Sequence, residues 1–179
     1  MQKNILLIIT GSIAAYKSAE LIRLLIKSNY SVTCLITQSA KQFITPLTLA
    51  ALSNNTVYED LFSLKEEVEM GHITLSRQAD IILVAPASAN IMAKMATGLA
   101  DDLASTVLLA SNKPIILAPA MNIQMWHNKA TIRNINQLVQ DRINIIAPEE
   151  GELACKESGN SRMAQPANIL NYINIHFSK

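Results

Sequence analysis

The stretch Ala79-Asp-Ile-Ile-Leu-Val-Ala-Pro-Ala-Ser-Ala-Asn-Ile-Met-Ala-Lys-Met-Ala-Thr-Gly98 decides the fold. It predicts a buried strand over Ile81 to Ala85, a sharp polar turn over Pro86 to Asn90, and a helix from Ile91. Ile81, Ile82 and Val84 are β-branched, and an apolar run of this kind fits a parallel strand covered on both faces. The turn sets Ser88 and Asn90 just beyond the carboxyl end of that strand, at the head of the next helix. Open α/β sheets bind ligands there, because helix amides and short polar side chains converge. Alone, such a strand-turn-helix is only a building block of a doubly wound sheet, so function has to be read from its neighbours.

Towards the amino terminus, Asn4 to Thr10 is a first apolar strand that Gly11-Ser12 turns into a helix ending near Lys27. Ile13, Ala19, Ile22 and Ile26 are expected on its apolar face, with Lys17, Glu20 and Arg23 elsewhere. One glycine and one serine are not the three glycines of a dinucleotide fingerprint, which leaves this turn suited to a lone phosphate or a flat ring. Val32 to Thr37 is a second strand, and Thr37-Gln38-Ser39-Ala40 leads to a helix carrying Phe43. Taken singly, Thr37 and Ser39 are equally well helix caps or ligand contacts. Repetition favours contact: three successive strand ends present hydroxyls to one rim. Pro46 to Leu61 reads as a short helix and loop, and Ser63 to Met70 as an acidic exposed segment. Gly71 to Arg77 reads as a short lead into the central strand; His72 follows a glycine rather than an apolar face, so it is open to either a structural or a functional role.

Towards the carboxyl terminus, Leu99 to Ser111 reads as a helix whose start is complemented by Asp101 and Asp102. No His or Cys accompanies that pair, so no metal is expected. Lys113 to Ala118 is another buried strand. Pro119 to Trp126, with the only Trp, two Met and Asn122, is either a ligand wall or a loop packed on its own helix. A polar helix over 127–140 and a last strand over Ile143 to Ala147 follow. This alternation predicts one α/β domain over residues 1–179, a doubly wound, Rossmann-like parallel sheet flanked by helices. Gly151 to Pro166 is too polar and Gly-punctuated for a regular element and too long for a plain connection, so it is expected to be a lid. Its Cys155 has Lys156 and Arg162 nearby in sequence to favour the thiolate. A short helix, Ala167 to His176, ends the chain.

Composition narrows the classes. Half of the 179 residues are hydrophobic and 16% are charged, which suits a largely buried sheet or a protein that hides surface in an oligomer. A net charge of +1 with few aromatics recommends no nucleic-acid partner. The opening apolar run, Ile5 to Ile9, is too short for a signal-peptide core or a membrane span. Cys34 and Cys155 lack metal-ligand spacing, and Cys34 reads as a small buried residue. A cytoplasmic location is expected.

Together these residues resemble the flavin-containing cysteine decarboxylases, among them the phosphopantothenoylcysteine decarboxylases of coenzyme A synthesis. The resemblance rests on Gly11-Ser12-Ile13-Ala14, Thr37-x-Ser39, His72-Ile73, Pro86-Ala87-Ser88-Ala89-Asn90, Pro119-Ala120-Met121-Asn122 with Met125-Trp126, and Ala154-Cys155 with Arg162-Met163-Ala164-x-Pro166. It implies FMN held by Gly11, Ser12, Ile13, Thr37, Gln38, Ser39, Ser88, Ala89, Asn90, Ile91 and Ala120. It further implies that Asn122 grips the substrate carboxylate and that Glu152, Leu153 and Ala154 contact the substrate from the lid. His72 would stand beside the departing carboxylate, and Cys155 would be the closing proton donor. The implied substrate is 4′-phosphopantothenoylcysteine, oxidised at its thiol-bearing carbon before carbon dioxide leaves. The implied assembly is a trimer or a dodecamer of trimers, with no nucleic-acid or membrane partner. A peptidyl-cysteine decarboxylase and a non-catalytic regulatory flavoprotein are the alternatives. The chain departs from the family pattern at Lys156-Glu157, Ser161 and Gln165, where the family usually has Gly-Asp, Gly and Glu. Many bacterial relatives carry a second, cysteine-ligating domain; that activity is expected from another polypeptide.

Overall fold

In a computed structural model that describes residues 2–59, 71–152 and 158–178, the sheet grows outward from Lys3–Ile9 (β1). Every residue from Ile5 to Ile9 is buried, as both faces of a parallel strand require. β1 pairs on one side with Tyr30–Ile36 (β2) and on the other with Ile81–Ala87 (β4), in the registers Ile5↔Val32 and Ile5↔Ile81. Val57–Tyr58 (β3), Ile115–Pro119 (β5) and Asn144–Ile145 (β6) complete a parallel sheet of order β3-β2-β1-β4-β5-β6. This is the doubly wound order, and chain direction across the sheet reverses between β1 and β4.

Alternate strand residues feed two apolar layers. Ile5, Leu7 and Ile9 pack with Ile81, Leu83 and Ala85 on one face. Leu6 and Ile8 pack with Ile82 and Val84 on the other. Burial of each of these Ile, Leu and Val side chains stabilises the fold by about 1.5–3 kcal/mol relative to exposure. Lys17–Lys27 (α1), Pro46–Ser53 (α2) and Pro166–Phe177 (α8) cover the first face. Gly71–Gln78 (α3), Ala89–Thr97 (α4), Leu103–Ala110 (α5) and Lys129–Gln140 (α7) cover the second, and the one-turn helix Ile123–Trp126 (α6) follows β5.

The central strand runs two residues past its expected end, through Pro86 and Ala87, and α4 begins at Ala89 with Ser88 as its cap. Thr10, expected as the last residue of the first strand, instead latches β1 to β4. Its hydroxyl donates to Pro86 O at 2.7 Å and accepts from Ser88 N at 2.9 Å. β3 is a two-residue edge strand in what read as a loop.

Three expectations are corrected. The expected apolar face of α1 holds at Ile22 and in part at Ala19, but not at Ile13, which falls in a preceding 3-10 turn, Ile13–Tyr16, nor at Ile26. Ile13 and Ile26 are 57% and 40% exposed, while Ser18, Leu21, Ile22 and Leu25 are buried. Ser18 can occupy the core because its hydroxyl donates to Ala85 O at 3.0 Å. Lys17, expected outward, is only 5% exposed. Second, Gly71 to Gln78 is a helix, held by packing on α5 that overrides the weak propensity of its Thr and Ser. Third, the polar run after β6 contains a regular element: Glu149–Glu152 (β7) and Ser158–Arg162 (β8) pair antiparallel, with Gly151 facing Gly159. A Cβ on Gly159 would lie 2.5 Å from Ile123 Cδ1, so glycine there lets the hairpin seat on α6. The acidic segment expected over Ser63 to Met70 lies outside the described residues. Cys34 meets its expectation: it is wholly buried, and burial pushes its thiol up to about 12.

Candidate active site

The carboxyl ends of β2, β1, β4 and β5 form one rim, and the turns that follow them enclose a cleft of about 860 Å³. That volume is in the range of small-ligand and cofactor sites. Each turn supplies a polar side chain for a local reason. Ser12 Oγ accepts from Ala14 N at 3.2 Å and starts the 3-10 turn after β1. Ser88 Oγ accepts from Ile91 N at 3.3 Å and caps α4. Asn122 Oδ1 accepts from Gln124 N at 2.7 Å and caps α6. A capping hydroxyl spends an oxygen lone pair on the helix, so its own O–H stays available to a ligand. Capping and ligand contact, alternatives in the sequence, are thus compatible at Ser12 and Ser88. Ser39 makes no side-chain cap bond; its Oγ lies 3.3 Å from Thr37 Oγ1.

Gly11, Ser12, Ile13, Ser39, Ser88, Ala89, Asn90, Ala120 and Asn122 all line this cleft. Thr37, Gln38 and Ile91 line an adjoining hollow of about 610 Å³ that shares Ser39, Ser88 and Asn90 with it. Of the Pro119 to Trp126 stretch, Ala120, Met121, Asn122 and Met125 line the cleft, and Trp126 does not. His72 falls in the first turn of α3. The last residue of that helix, Gln78, accepts through its carbonyl from Asn4 Nδ2 at the start of β1, so α3 runs against the strands and its first turn lies towards the rim. Glu152 ends β7, whereas Leu153, Ala154 and Cys155 lie outside the described residues.

The cleft also holds residues to which the sequence reading gave no binding or catalytic role. Lys17 Nζ donates to Met163 O at 3.2 Å and to Gln165 Oε1 at 3.3 Å, tying α1 to the segment after the hairpin. Burial, then the Arg162 charge, holds its pKa below the usual lysine value, with Glu149 and Glu20 opposing. Glu149 in turn accepts from Gln165 N at 3.0 Å and Asn168 Nδ2 at 2.6 Å. Lys17, Ser161, Arg162 and Met163 all face the cleft. The helical stripe Ser18, Leu21, Ile22 and Leu25 puts Lys17 beside the buried face; Ser161 stands out in the sequence only as a serine where the family pattern has glycine, which does not by itself place it in the cleft.

An ion-pair cluster lines the adjoining hollow. Lys94 donates to Asp101 Oδ1 and, at 2.7 Å, to Asp102 Oδ2, while Asp102 caps α5 through Ser105. The expected role of the Asp pair at a helix start holds for Asp102, and among the described residues no cluster of metal-ligating side chains exists. Burial opposes ionisation of Asp102, but Lys94 and the two Ser105 bonds prevail and hold its pKa below the ordinary 3.8. A depressed carboxylate stabilises the fold above its unfolded pKa and loses that contribution as pH falls through the folded value. Asp102→Asn, which keeps the cap, should therefore cost under about 1 kcal/mol at neutral pH, because Asp102 is 40% exposed and screened. It should also flatten the loss of stability below pH 3.8, as read from urea midpoints across pH.

Comparison with known proteins fits this geometry. The coenzyme A biosynthesis bifunctional protein CoaBC of Haemophilus influenzae is 46% identical over 177 residues, covering 99% of this chain and 44% of that protein. The chain thus spans less than half the length of that relative. A PPC decarboxylase variant complexed with pantothenoylaminoethenethiol superposes with a TM-score of 0.88 at 31% identity, covering all of both chains. The FMN binding protein AtHal3 superposes with a TM-score of 0.84 at 32% identity, covering 99% of this chain and 98% of that one. The Flavoprotein family model matches residues 1–178, and with its switch-point cleft and full-length likeness to these structures the chain belongs to the Flavoprotein family.

Proposed function

We propose that this chain binds FMN in the cleft and decarboxylates 4′-phosphopantothenoylcysteine to 4′-phosphopantetheine, a step of coenzyme A synthesis. The observation that carries this reading is the convergence of Gly11, Ser12, Ile13, Ser39, Ser88, Ala89, Asn90 and Ala120 on one cleft. The full-length likeness to a PPC decarboxylase adds to it. The residues present fit the cofactor. Hydroxyls and amides along the rim suit a phosphate and a polyol chain, apolar Ile13, Ala14 and Met121 suit a flat ring, and the buried Ser161 hydroxyl lacks a partner.

When bound, FMN supplies the two-electron oxidation of the substrate's thiol-bearing carbon and the later return of those electrons. The remaining work belongs to the chain. Ser12, Thr37, Gln38, Ser39, Ser88, Asn90 and Ile91 hold and orient the cofactor. Asn122, fixed by its cap at the cleft wall, positions the substrate carboxylate. His72 stands beside that carboxylate as it departs. Glu152, Leu153 and Ala154 steady the substrate, and Cys155 delivers a proton from Sγ to the carbon chain left after decarboxylation. Residues 151–166 act as the flap of a single unit spanning 1–179, excluding water from a reactive intermediate.

A homo-oligomer, a trimer or dodecamer of trimers, belongs to this reading. Ile13, Tyr16 and Met125 at the cleft mouth are 57%, 59% and 48% exposed, apolar surface that a neighbouring subunit would cover. A cytoplasmic setting also belongs to it; among the described residues no helix is long and apolar enough to cross a membrane. The test is direct. The purified protein should be yellow, release FMN on acid treatment, and turn over 4′-phosphopantothenoylcysteine but not a peptide ending in cysteine. A colourless protein that takes up no FMN, or turnover of the peptide alone, would refute the assignment.

A further inference from the structure

We infer that the Ser161 hydroxyl donates a hydrogen bond to a ring oxygen of the bound flavin; this rests on the FMN reading above. Ser161 is 1% exposed, and among the described side chains that are buried its Oγ alone has no hydrogen-bond partner. Leaving such a group unpaired costs about 1–3 kcal/mol, so a native chain that keeps it has a use for it. The carbonyl of Ser161 is already committed: it accepts from Met121 N at 3.3 Å, which seats β8 on the end of β5. The hydroxyl is what remains, on a residue that lines the cleft. In serine it swings between staggered wells about a single bond, so an acceptor laid on this wall can draw it out.

Position along the rim selects the acceptor. β2, β1, β4 and β5 stand side by side at about 4.8 Å spacing, so β2 and β5 are about 14 Å apart. The phosphate is placed, as part of this inference, beside the hydroxyl pair Thr37 and Ser39 that follows β2. Ser161 lies at the other extreme, against Met121 and next to Ala120, whose N–H is held by Ala87 O at 3.1 Å. A molecule anchored by its phosphate at β2 reaches Ser161 with its ring, not with its polyol. Lys17 and Arg162 line the same wall, so donors and positive charge gather there to meet the carbonyl-bearing edge of the ring rather than its methylated edge.

Ser161→Ala and Ser161→Gly test this without turnover. Holoprotein is diluted and the fluorescence of released FMN is followed, alongside the visible absorption band of the bound flavin. One neutral hydrogen bond is worth about 0.5–1.5 kcal/mol, so both variants should release FMN about 2- to 12-fold faster, with the band moved towards that of free FMN. Unchanged release and an unchanged band in both variants would overturn the inference. So would unchanged release with a raised KM, which would assign the hydroxyl to the substrate. If the wild-type chain carries no FMN at all, it is the functional reading that fails, before any variant is made.

Discussion

Gly11→Val is expected to give a protein that folds but comes off the column colourless. A Cβ on Gly11 would stand 2.5 Å from Ser39 Oγ and 2.6 Å from Ser39 Cβ, with the Ser39 backbone carbon at 3.3 Å. The turns after β1 and β2 therefore touch, and only a residue without a side chain allows it. Valine brings three carbons into that narrow gap, and Ser39 has to give way. Ser39 Oγ lies 3.3 Å from Thr37 Oγ1, and Thr37 N donates to Ile9 O at 3.1 Å, so the displacement spreads along the hydroxyl rim. Overpacking of this kind costs about 1–3 kcal/mol, and each hydrogen bond to the cofactor that the shift breaks adds to the deficit. FMN affinity should fall about 100-fold or more. The strand cores are untouched, so the thermal midpoint should drop by only about 2–12 °C. The flavin-to-protein absorbance ratio and a thermal melt check both halves. A normal flavin complement in the folded variant would mean that this turn takes no part in cofactor binding.

The parts of this molecule legible in the sequence are those fixed by nearest neighbours. Buried parallel strands announce themselves because both faces demand apolar residues, as Ile5 to Ile9 and Ile81 to Ala85 do. Their alternation with helices then leaves the doubly wound order as the natural arrangement. Because every ligand-bearing turn lies at a strand's carboxyl end, the rim residues Ser12, Ser39, Ser88 and Asn122 could be found without coordinates, and the structure brings them to one cleft. What could not be read depends on distant partners. Lys17 looks like a solvated lysine until Met163 O and Gln165 Oε1, nearly 150 residues away, are placed beside it. Ser18 looks polar and therefore outward until Ala85 O accepts its proton. The hairpin of β7 and β8 has no apolar alternation, because Gly151 and Gly159 serve close approach rather than burial. In each case the deciding interaction is tertiary, which local pattern does not encode.

Cys155→Ser and His72→Asn should separate the two halves of the reaction, each with FMN retained. On the proposed role of His72 beside the departing carboxylate, His72→Asn should lower carbon dioxide release by about 100-fold or more. Cys155→Ser should leave the first carbon dioxide release intact and halt the protonation after it, so a decarboxylated, oxidised species accumulates. The reason is acidity: a thiol with an ordinary pKa near 8.5 is a competent proton donor at neutral pH, whereas a serine hydroxyl is far too weak an acid. Formation of 4′-phosphopantetheine should fall by about 100-fold or more. The fold anchors the two described flanks of this segment, β7 and β8, at the cleft. Cys155 lies between Glu152 and Ser158, which pair across the hairpin, and that hairpin is seated on the cleft wall by Gly159 against Ile123 and by Ser161 O accepting from Met121 N. Rapid-quench assays that count carbon dioxide and product from the same reaction distinguish the outcomes. Equal losses of both in Cys155→Ser would place the thiol before decarboxylation. Full product formation would remove it from the chemistry and leave the hairpin as a water-excluding cover.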